Sequence, residues 1–440
     1  MTQRHTYPHT SEETRELVER AVLVGIDRGR SDWPLDESLA ELGRLAHTAG
    51  IEVIATVTQR LDRPNPRTFI GAGKAEEVAD TARALEATVV IFDDDLTPSQ
   101  QANLEDLVGN IKVLDRTALI LDIFALHAVS REGKLQVELA RLEYVLPRLK
   151  GMWGHLEAER LGGGRGTRFG AGESQLEVDR RMTRRRISDL RRELKAVSAE
   201  RDLQRKARAR SGVFRVALVG YTNAGKSTLL NALTGAEVLA YDMLFATLDS
   251  TTRRLALSEG REITITDTVG FIQKLPHGLV EAFKSTLDEV NEADLLLHVT
   301  DAGSSQREAQ MAAVREVLGE IGASGKRSVI VFNKVDTIDE SEAAALQRRY
   351  PAAVLCSALD RRGIDDLLDR ISAEAARDAV TMTVLLPYTR GDLVRLAHER
   401  AQIVSERHTE EGTELGLRVP AELAQRFAEF DVLADEADQQ

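Results

Sequence analysis

Cysteine is nearly absent from this chain of 440 residues, and Cys356 is the only one. No intramolecular disulfide can form, which fits a reducing compartment, and cysteine-type zinc sites are excluded. His127, His155, His277 and His298 show no H-x-x-x-H spacing either. Long hydrophobic runs are missing too. No stretch approaches the roughly 20 apolar residues of a membrane span, and no secretory leader is visible. A cytoplasmic chain without a membrane span is expected. An excess of positive charge is also lacking. The net charge of −13 argues against uniform affinity for nucleic acid. The acidity is uneven, however. Arg180–Arg210 holds thirteen Lys/Arg against four Asp/Glu. Such a basic stripe on an acidic protein predicts a localised anionic partner.

What is present is an ordinary globular composition, 42% hydrophobic and 29% charged. The length implies several domains. Met1–Glu16 is polar, and residues 1–20 read as a mobile terminus. Residues 21–130 alternate short apolar runs with helical patterns, which predicts a small α/β domain with a mainly parallel sheet. Within it, Phe69–Lys74 superficially resembles a phosphate loop. Ala75 stands where Ser/Thr is needed, so the segment reads as a tight turn into a helix.

Residues 131–212 differ in character. Leu135, Leu139, Leu142 and Leu146 share one helix face, as do Ile187, Leu190, Leu194 and Val197. They predict a two-helix antiparallel arm. Its glycine-rich tip, Gly151–Gly172, carries Arg160, Arg165, Arg168, Trp153 and Phe169. Arginine pairs with phosphate and aromatic rings stack on bases, so the tip reads either as an RNA contact or as a mobile linker. Residues 213–377 form a further α/β unit, and 378–440 read as a small α+β domain suited to docking.

The apolar run Val213–Val219 leads into Gly220–Tyr221–Thr222–Asn223–Ala224–Gly225–Lys226–Ser227, and a helical pattern follows. This is G-x-x-x-x-G-K-[ST] in its strand–loop–helix setting. Loop amides and the helix N-terminus cradle phosphates, Lys226 reaches the outer ones, and the Ser227 hydroxyl ligates Mg²⁺. Downstream, Asp267–Thr268–Val269–Gly270 follows an apolar run. There the Asp267 carboxylate sits behind Mg²⁺, and the Gly270 amide senses a γ-phosphate. Asn333–Lys334–Val335–Asp336 follows a third apolar run. The Asp336 carboxylate can accept both N1–H and the 2-amino group of guanine, donors that adenine does not offer. Asn333 braces the loop or contacts the base. The Ser357–Ala358–Leu359 amides are placed for the guanine O6. Cys356 reads as a buried strand residue. Between the first two motifs, Phe245–Ala246–Thr247–Leu248–Asp249 leads on to Thr251 and Thr252, and any of the three threonines could close over Mg²⁺.

In this order the motifs resemble a translation-factor-class GTPase. Together with Leu146–Trp153 and Gln175–Arg181, they resemble the HflX family over nearly the whole chain. One departure is Phe169–Ser174, where the family more often has a G-P-G-E-T run. The resemblance selects Thr247 as the Mg²⁺-ligating threonine. It implies a monomer that binds GTP and GDP and associates with the large ribosomal subunit through rRNA. Such proteins split or rescue ribosomes, and hydrolysis releases them. A regulatory GTPase acting on a protein partner and an RNA-modification accessory GTPase are the alternatives, and a plain ATPase is the weakest. Phe271 occupies the position where many GTPases place a water-orienting glutamine. Slow intrinsic hydrolysis is therefore expected. In related GTPases the asparagine of N-x-G-K-[ST] helps bind K⁺, which would give Asn223 a catalytic role beside Lys226, Thr247 and Gly270; the alternatives are that Asn223 only shapes the turn, or that a partner completes the site.

Overall fold

The computed structural model describes residues 18–29, 33–149, 175–209, 213–235, 243–257, 261–274, 284–377 and 379–432. The expected mobile terminus up to residue 17 and the glycine-rich tip, with its three arginines, Trp153 and Phe169, lie outside the described residues. The chain divides into two compact units, residues 1–119 and 120–440.

The first unit runs β1 (Arg20–Asp27), α1 (Leu35–Thr48), β2 (Glu52–Arg60), α2 (Ala72–Ala84), β3 (Val89–Phe92), α3 (Pro98–Val108) and β4 (Lys112–Asp115), and α4 (Arg116–His127) begins at its end. The sheet order is β2-β1-β3-β4. Every pair is parallel, as the alternation of apolar runs and helices predicts. Val89–Phe92 is wholly buried, whereas edge strand β2 shows mixed exposure. Local chemistry sets the helix starts. At α3, Thr97 and Gln100 form a capping box and Pro98 takes the first turn. Phe69 has φ +65°, and Gly71 caps α2 while its N–H donates to Gln59 Oε1 at 2.8 Å. The Phe69–Lys74 segment is thus a turn into a helix.

Arg116 is fully buried in this unit. It donates to Glu41 at 2.7 Å, to the Asp93 carboxylate at 2.6 Å and to the Asp93 carbonyl at 3.1 Å. Burial works against its charge, but Asp93 and then Glu41 outweigh this and hold it well above the usual arginine range. Removing one member strands the others as buried charges. Arg116→Ala is therefore expected to destabilise this unit by about 3–5 kcal/mol, read as the shift of its unfolding transition in urea. A shift under about 1 kcal/mol, the level of an exposed pair, would contradict this.

In the second unit, α5 (Arg131–Val145) packs on α6 (Gln175–Ala209). Leu135, Leu139, Ile187 and Leu190 are buried between them, with Leu142, Leu146, Leu194 and Val197 half-buried alongside. These are the eight residues whose spacing predicts the arm. Arg186–Glu138 at 2.8 Å and Arg191–Glu143 at 2.7 Å flank the seam.

The chain continues through β5 (Phe214–Gly220), α7 (Lys226–Thr234), β6 (Thr251–Ala256), β7 (Glu262–Asp267), α8 (Lys284–Glu292), β8 (Leu295–Asp301), α9 (Arg307–Glu320), β9 (Ser328–Asn333), α10 (Glu340–Arg349), β10 (Val354–Leu355) and α11 (Ile364–Ala376). The sheet order is β10-β9-β8-β5-β7-β6, and only β6 is antiparallel. Strand β6 escapes the hydrophobic pattern, because it is a mostly exposed edge strand. A third sheet, β11 (Ala379–Leu386), β12 (Gln402–His408) and β13 (Thr413–Pro420), is antiparallel in the order β11-β13-β12. Helices α12 (Gly391–Arg400) and α13 (Ala421–Phe427) pack with it around Leu415, Leu417, Val419 and Phe427. This is the expected α+β arrangement.

Candidate functional site

Strand β5 is central in its sheet, so it delivers Gly220 to the middle of the sheet's carboxyl edge. A Cβ at Gly220 would lie 2.2 Å from the Val299 carbonyl oxygen, so only glycine fits there. The loop then turns through Asn223 at φ +58° and Gly225 at φ +87°. Gly225 is the N-cap of α7 and provides no side-chain cap. The first amides of α7 therefore remain available to an anionic ligand. Lys226 is buried, and its Nζ donates to the Tyr221 carbonyl at 3.0 Å and the Gly220 carbonyl at 3.4 Å. Burial pushes its pKa down to about 8 despite the nearby Asp267 carboxylate.

Opposite the loop, Asp267 ends β7. Its Oδ2 accepts from Ser227 Oγ at 2.6 Å and from Thr247 Oγ1 at 3.1 Å, and the two hydroxyls lie 2.8 Å apart. Burial raises the Asp267 pKa, while Lys226 and the hydroxyl hydrogen bonds oppose the rise. Asp267 Oδ1 and Thr222 Oγ1 are buried without a hydrogen-bond partner among the described residues. Converging hard oxygens with orphaned lone pairs suit an oxygen-seeking divalent cation and its attached phosphates. Of the three candidate threonines, only Thr247 reaches this cluster. Thr251 and Thr252 lie in β6, where Thr252 instead meets Thr266 at 2.9 Å.

The pocket here is lined by Thr222, Asn223, Gly225, Lys226, Ser227, Thr228, Met243, Phe245, Ala246, Thr247, Thr268 and Gly270. Thr228 and Met243 fall outside the motif positions, so the sequence reading missed them. A Cβ at Gly270 would lie 2.7 Å from Thr222 Cα, which explains the glycine of D-x-x-G by close approach. Phe271 is fully buried, and its backbone is bound to Gly220 and Thr222 at 3.0 and 2.7 Å. It cannot orient a water. Other expected contacts turn elsewhere. The Tyr221 hydroxyl accepts from the Gln273 N–H, the Thr268 hydroxyl donates to the Leu218 carbonyl, and Ala224, Leu248 and Val269 are buried. The Asp249 carboxylate faces Val129 and Ser130 rather than the pocket.

The base-side residues gather at the ends of β9 and β10. Asn333 Nδ2 donates to the Ala224 carbonyl at 3.0 Å, and its Oδ1 accepts from the Ala358 N–H at 2.9 Å. It is therefore a brace between two loops. A Cβ at Gly225 would come within 2.3 Å of that amide. Lys334 has φ +63° and pairs with Asp301 at 2.9 Å. Of the three amides expected to face the guanine O6, that of Ser357 donates to Arg362 and that of Ala358 to Asn333. Only the Leu359 amide has no partner among the described residues. Cys356 is fully buried, and burial lifts its thiol to about 12, which excludes a reactive thiolate. His298 is buried within β8. Burial, then Arg315 and Lys226, pushes its pKa down to about 4, so it is neutral.

Asp336 lies exposed in the turn Val335–Thr337, and its carboxylate has no side-chain partner among the described residues. Asp336→Asn is expected to shift preference from guanine to xanthine nucleotides by about two orders of magnitude or more, measured by competition binding. Undiminished GTP affinity would contradict this.

Comparison with known proteins accords with this geometry. Residues 36–125 match a family model described as GTP-binding GTPase N-terminal, and residues 127–208 match the GTP-binding GTPase Middle Region. Residues 215–334 match a model described as 50S ribosome-binding GTPase. The chain is 46% identical to the GTPase HflX of Caldanaerobacter subterraneus over 419 residues, covering 95% of each chain. It is 43% identical to the GTPase HflX of Escherichia coli K12 over 409 residues, covering 91% of this chain and 94% of that one. A solved GTP-binding protein from Sulfolobus solfataricus in complex with GDP is 27% identical with a TM-score of 0.42, covering 82% of this chain and 99% of that one. The chain belongs to the HflX family of GTPases, enzymes that hydrolyse GTP.

Proposed function

We propose that this GTPase is a nucleotide-gated switch that associates with the large ribosomal subunit and splits or rescues ribosomes, with hydrolysis releasing it. The supporting observation is the basic face of α6. Arg186, Arg191 and Arg192 are ion-paired. Arg180, Arg184, Arg185 and Lys195 have no acidic partner among the described residues, and all but the half-buried Arg180 are exposed. Unpaired cations along one helix track an RNA backbone by counterion release. In this reading, 131–212 is the RNA-binding arm, 213–377 the GTP-binding domain, and 21–130 and 378–440 are flanking domains.

The site chemistry follows from the residues. Loop amides, Lys226 and the α7 N-terminus hold the phosphates, Asp336 selects guanine, and the Gly270 amide reports the γ-phosphate. Ser227 and Thr247 are the ligands we assign to Mg²⁺, with Asp267 behind them. Held by these hydroxyls, Mg²⁺ would supply charge that offsets the phosphate charge in the transition state. Thr247 then closes in the triphosphate state and leaves in the diphosphate state. This difference in contacts supplies the shift between partner-bound and free forms.

Because Phe271 cannot position water, we assign Asn223 a role in holding K⁺ against the transferring phosphoryl group. Turnover is then expected to be about tenfold or more faster in K⁺ than in Na⁺, and equal rates would remove this role. For the partner, large subunits are expected to co-sediment with the protein in a non-hydrolysable GTP analogue and to lose it in GDP. Replacing Arg184 and Arg185 together with glutamine should lower the salt-dependence slope by about two. Equal binding in both nucleotides would overturn the switch. An unchanged slope would instead favour a regulatory GTPase with a protein partner.

A further inference from the structure

The segment joining α4 to α5 grips the loop that carries Thr247 at both ends. At the first end, Phe124 of α4 meets Phe245 edge-to-face with ring centroids 4.7 Å apart. Phe245 itself has φ +57°, a conformation that a non-glycine residue holds only when its surroundings impose it. At the other end, Asp249 Oδ2 accepts from the Val129 N–H at 2.9 Å and the Ser130 N–H at 2.7 Å, and Oδ1 accepts from the Ser130 hydroxyl. The Ser130 hydroxyl also accepts from the Gly133 N–H at 2.8 Å, so it is the side-chain cap of α5. Asp249 thus completes the N-terminus of the arm's first helix with a negative charge, where the helix dipole favours one. Gly133 lies under this contact, and a Cβ there would stand 2.6 Å from Asp249 Oδ1. Thr247 is held midway, 2.8 Å from Ser227 and 3.1 Å from Asp267.

We propose that Asp249 is a positioning residue that fastens the Thr247 loop to the arm, so that the arm base and the nucleotide-sensing loop move as one unit. The proposal rests on the reading of Thr247 as responsive to the γ-phosphate. It deepens that reading by giving the signal a path to the arm. When Thr247 closes, Asp249 is carried to the α5 N-terminus and the arm is fixed. When Thr247 leaves, the Asp249 contact with Val129 and Ser130 is lost and the arm is released at its base. Linkage makes the effect reciprocal, so anything that holds the arm in its capped position raises affinity for the triphosphate state. The same anchor accounts for three features that nucleotide contact leaves unexplained. They are the carboxylate directed away from the pocket, the glycine in the first turn of α5, and the positive φ at Phe245.

The test uses the full chain with Mg²⁺, a fluorescent non-hydrolysable GTP analogue and fluorescent GDP. Asp249→Ala removes the contact from the loop side. Gly133→Ala displaces it from the arm side with a residue that favours helix, so loss of α5 is not the cause. Each is expected to lower the preference for the GTP analogue over GDP by about tenfold, within the usual range of coupling between sites, with GDP affinity unchanged. The double variant should be no worse than either single one, because both break one contact. An unchanged preference, an equal fall for GDP, or additive losses would overturn the proposal. Thr247→Ala, measured in parallel, separates the two levels. If it leaves the preference unchanged, the γ-phosphate reading fails and the proposal fails with it. If it lowers the preference while the other two variants do not, only the anchor is overturned.

Discussion

A buried carboxylate governs the nucleotide site. Asp267 sits at the end of β7 with almost no exposure, bound by the Ser227 and Thr247 hydroxyls on one oxygen and without a partner among the described residues on the other. A group in that position is costly unless countercharge is near. The buried Lys226 supplies part of it, and the remaining lone pairs suit a divalent cation. The surrounding construction serves this arrangement. The parallel sheet sets β5 beside β7, bringing Ser227 to Asp267. Gly220 allows β8 to press close, Gly225 allows Asn333 to brace the loop, and Gly270 allows the D-x-x-G turn to lie against Thr222.

Much of this was legible in the sequence, because each motif is a local solution to a local problem. Glycines mark backbone approach, and apolar runs mark buried parallel strands. The arm seam was legible for the same reason, since four residues at helical spacing on each side must be covered. The less legible parts depend on contacts distant in sequence. Strand β6 has a polar exposed pattern and is specified by its pairing with β7, so Thr251 and Thr252 looked equivalent to Thr247 until the sheet placed them. Asp249 reads as part of a nucleotide motif, but its partners lie 119 and 120 residues earlier. Likewise Ser357 and Ala358 lie at the expected place, but Asn333 and Arg362 take their amides.

The basic stripe gains meaning from its pairing pattern. Charge counting gave thirteen Lys/Arg between Arg180 and Arg210. The structure separates those that hold the helix pair together, such as Arg186 and Arg191, from Arg184, Arg185 and Lys195, which face solvent without acidic partners among the described residues. Ion pairs along the seam, with exposed cations that have no acidic partner among the described residues on the same helix, suit an arm that is held along its seam and adhesive outward. Fastened at its base to the Thr247 loop, such an arm converts a change around one phosphate into a change in orientation far from it. The scaffold needs no second moving part for this, since hinge and sensor share one short segment.

The central claim is that the sensing loop and the arm base form one nucleotide-responsive unit. Amide hydrogen exchange of the full chain, with Mg²⁺ and either GDP or a non-hydrolysable GTP analogue, reads it most directly. The account predicts that the Val129 and Ser130 amides and the 245–249 loop slow together in the GTP analogue and quicken together in GDP. Protection of the loop alone, with Val129 and Ser130 exchanging equally in both nucleotides, would contradict it.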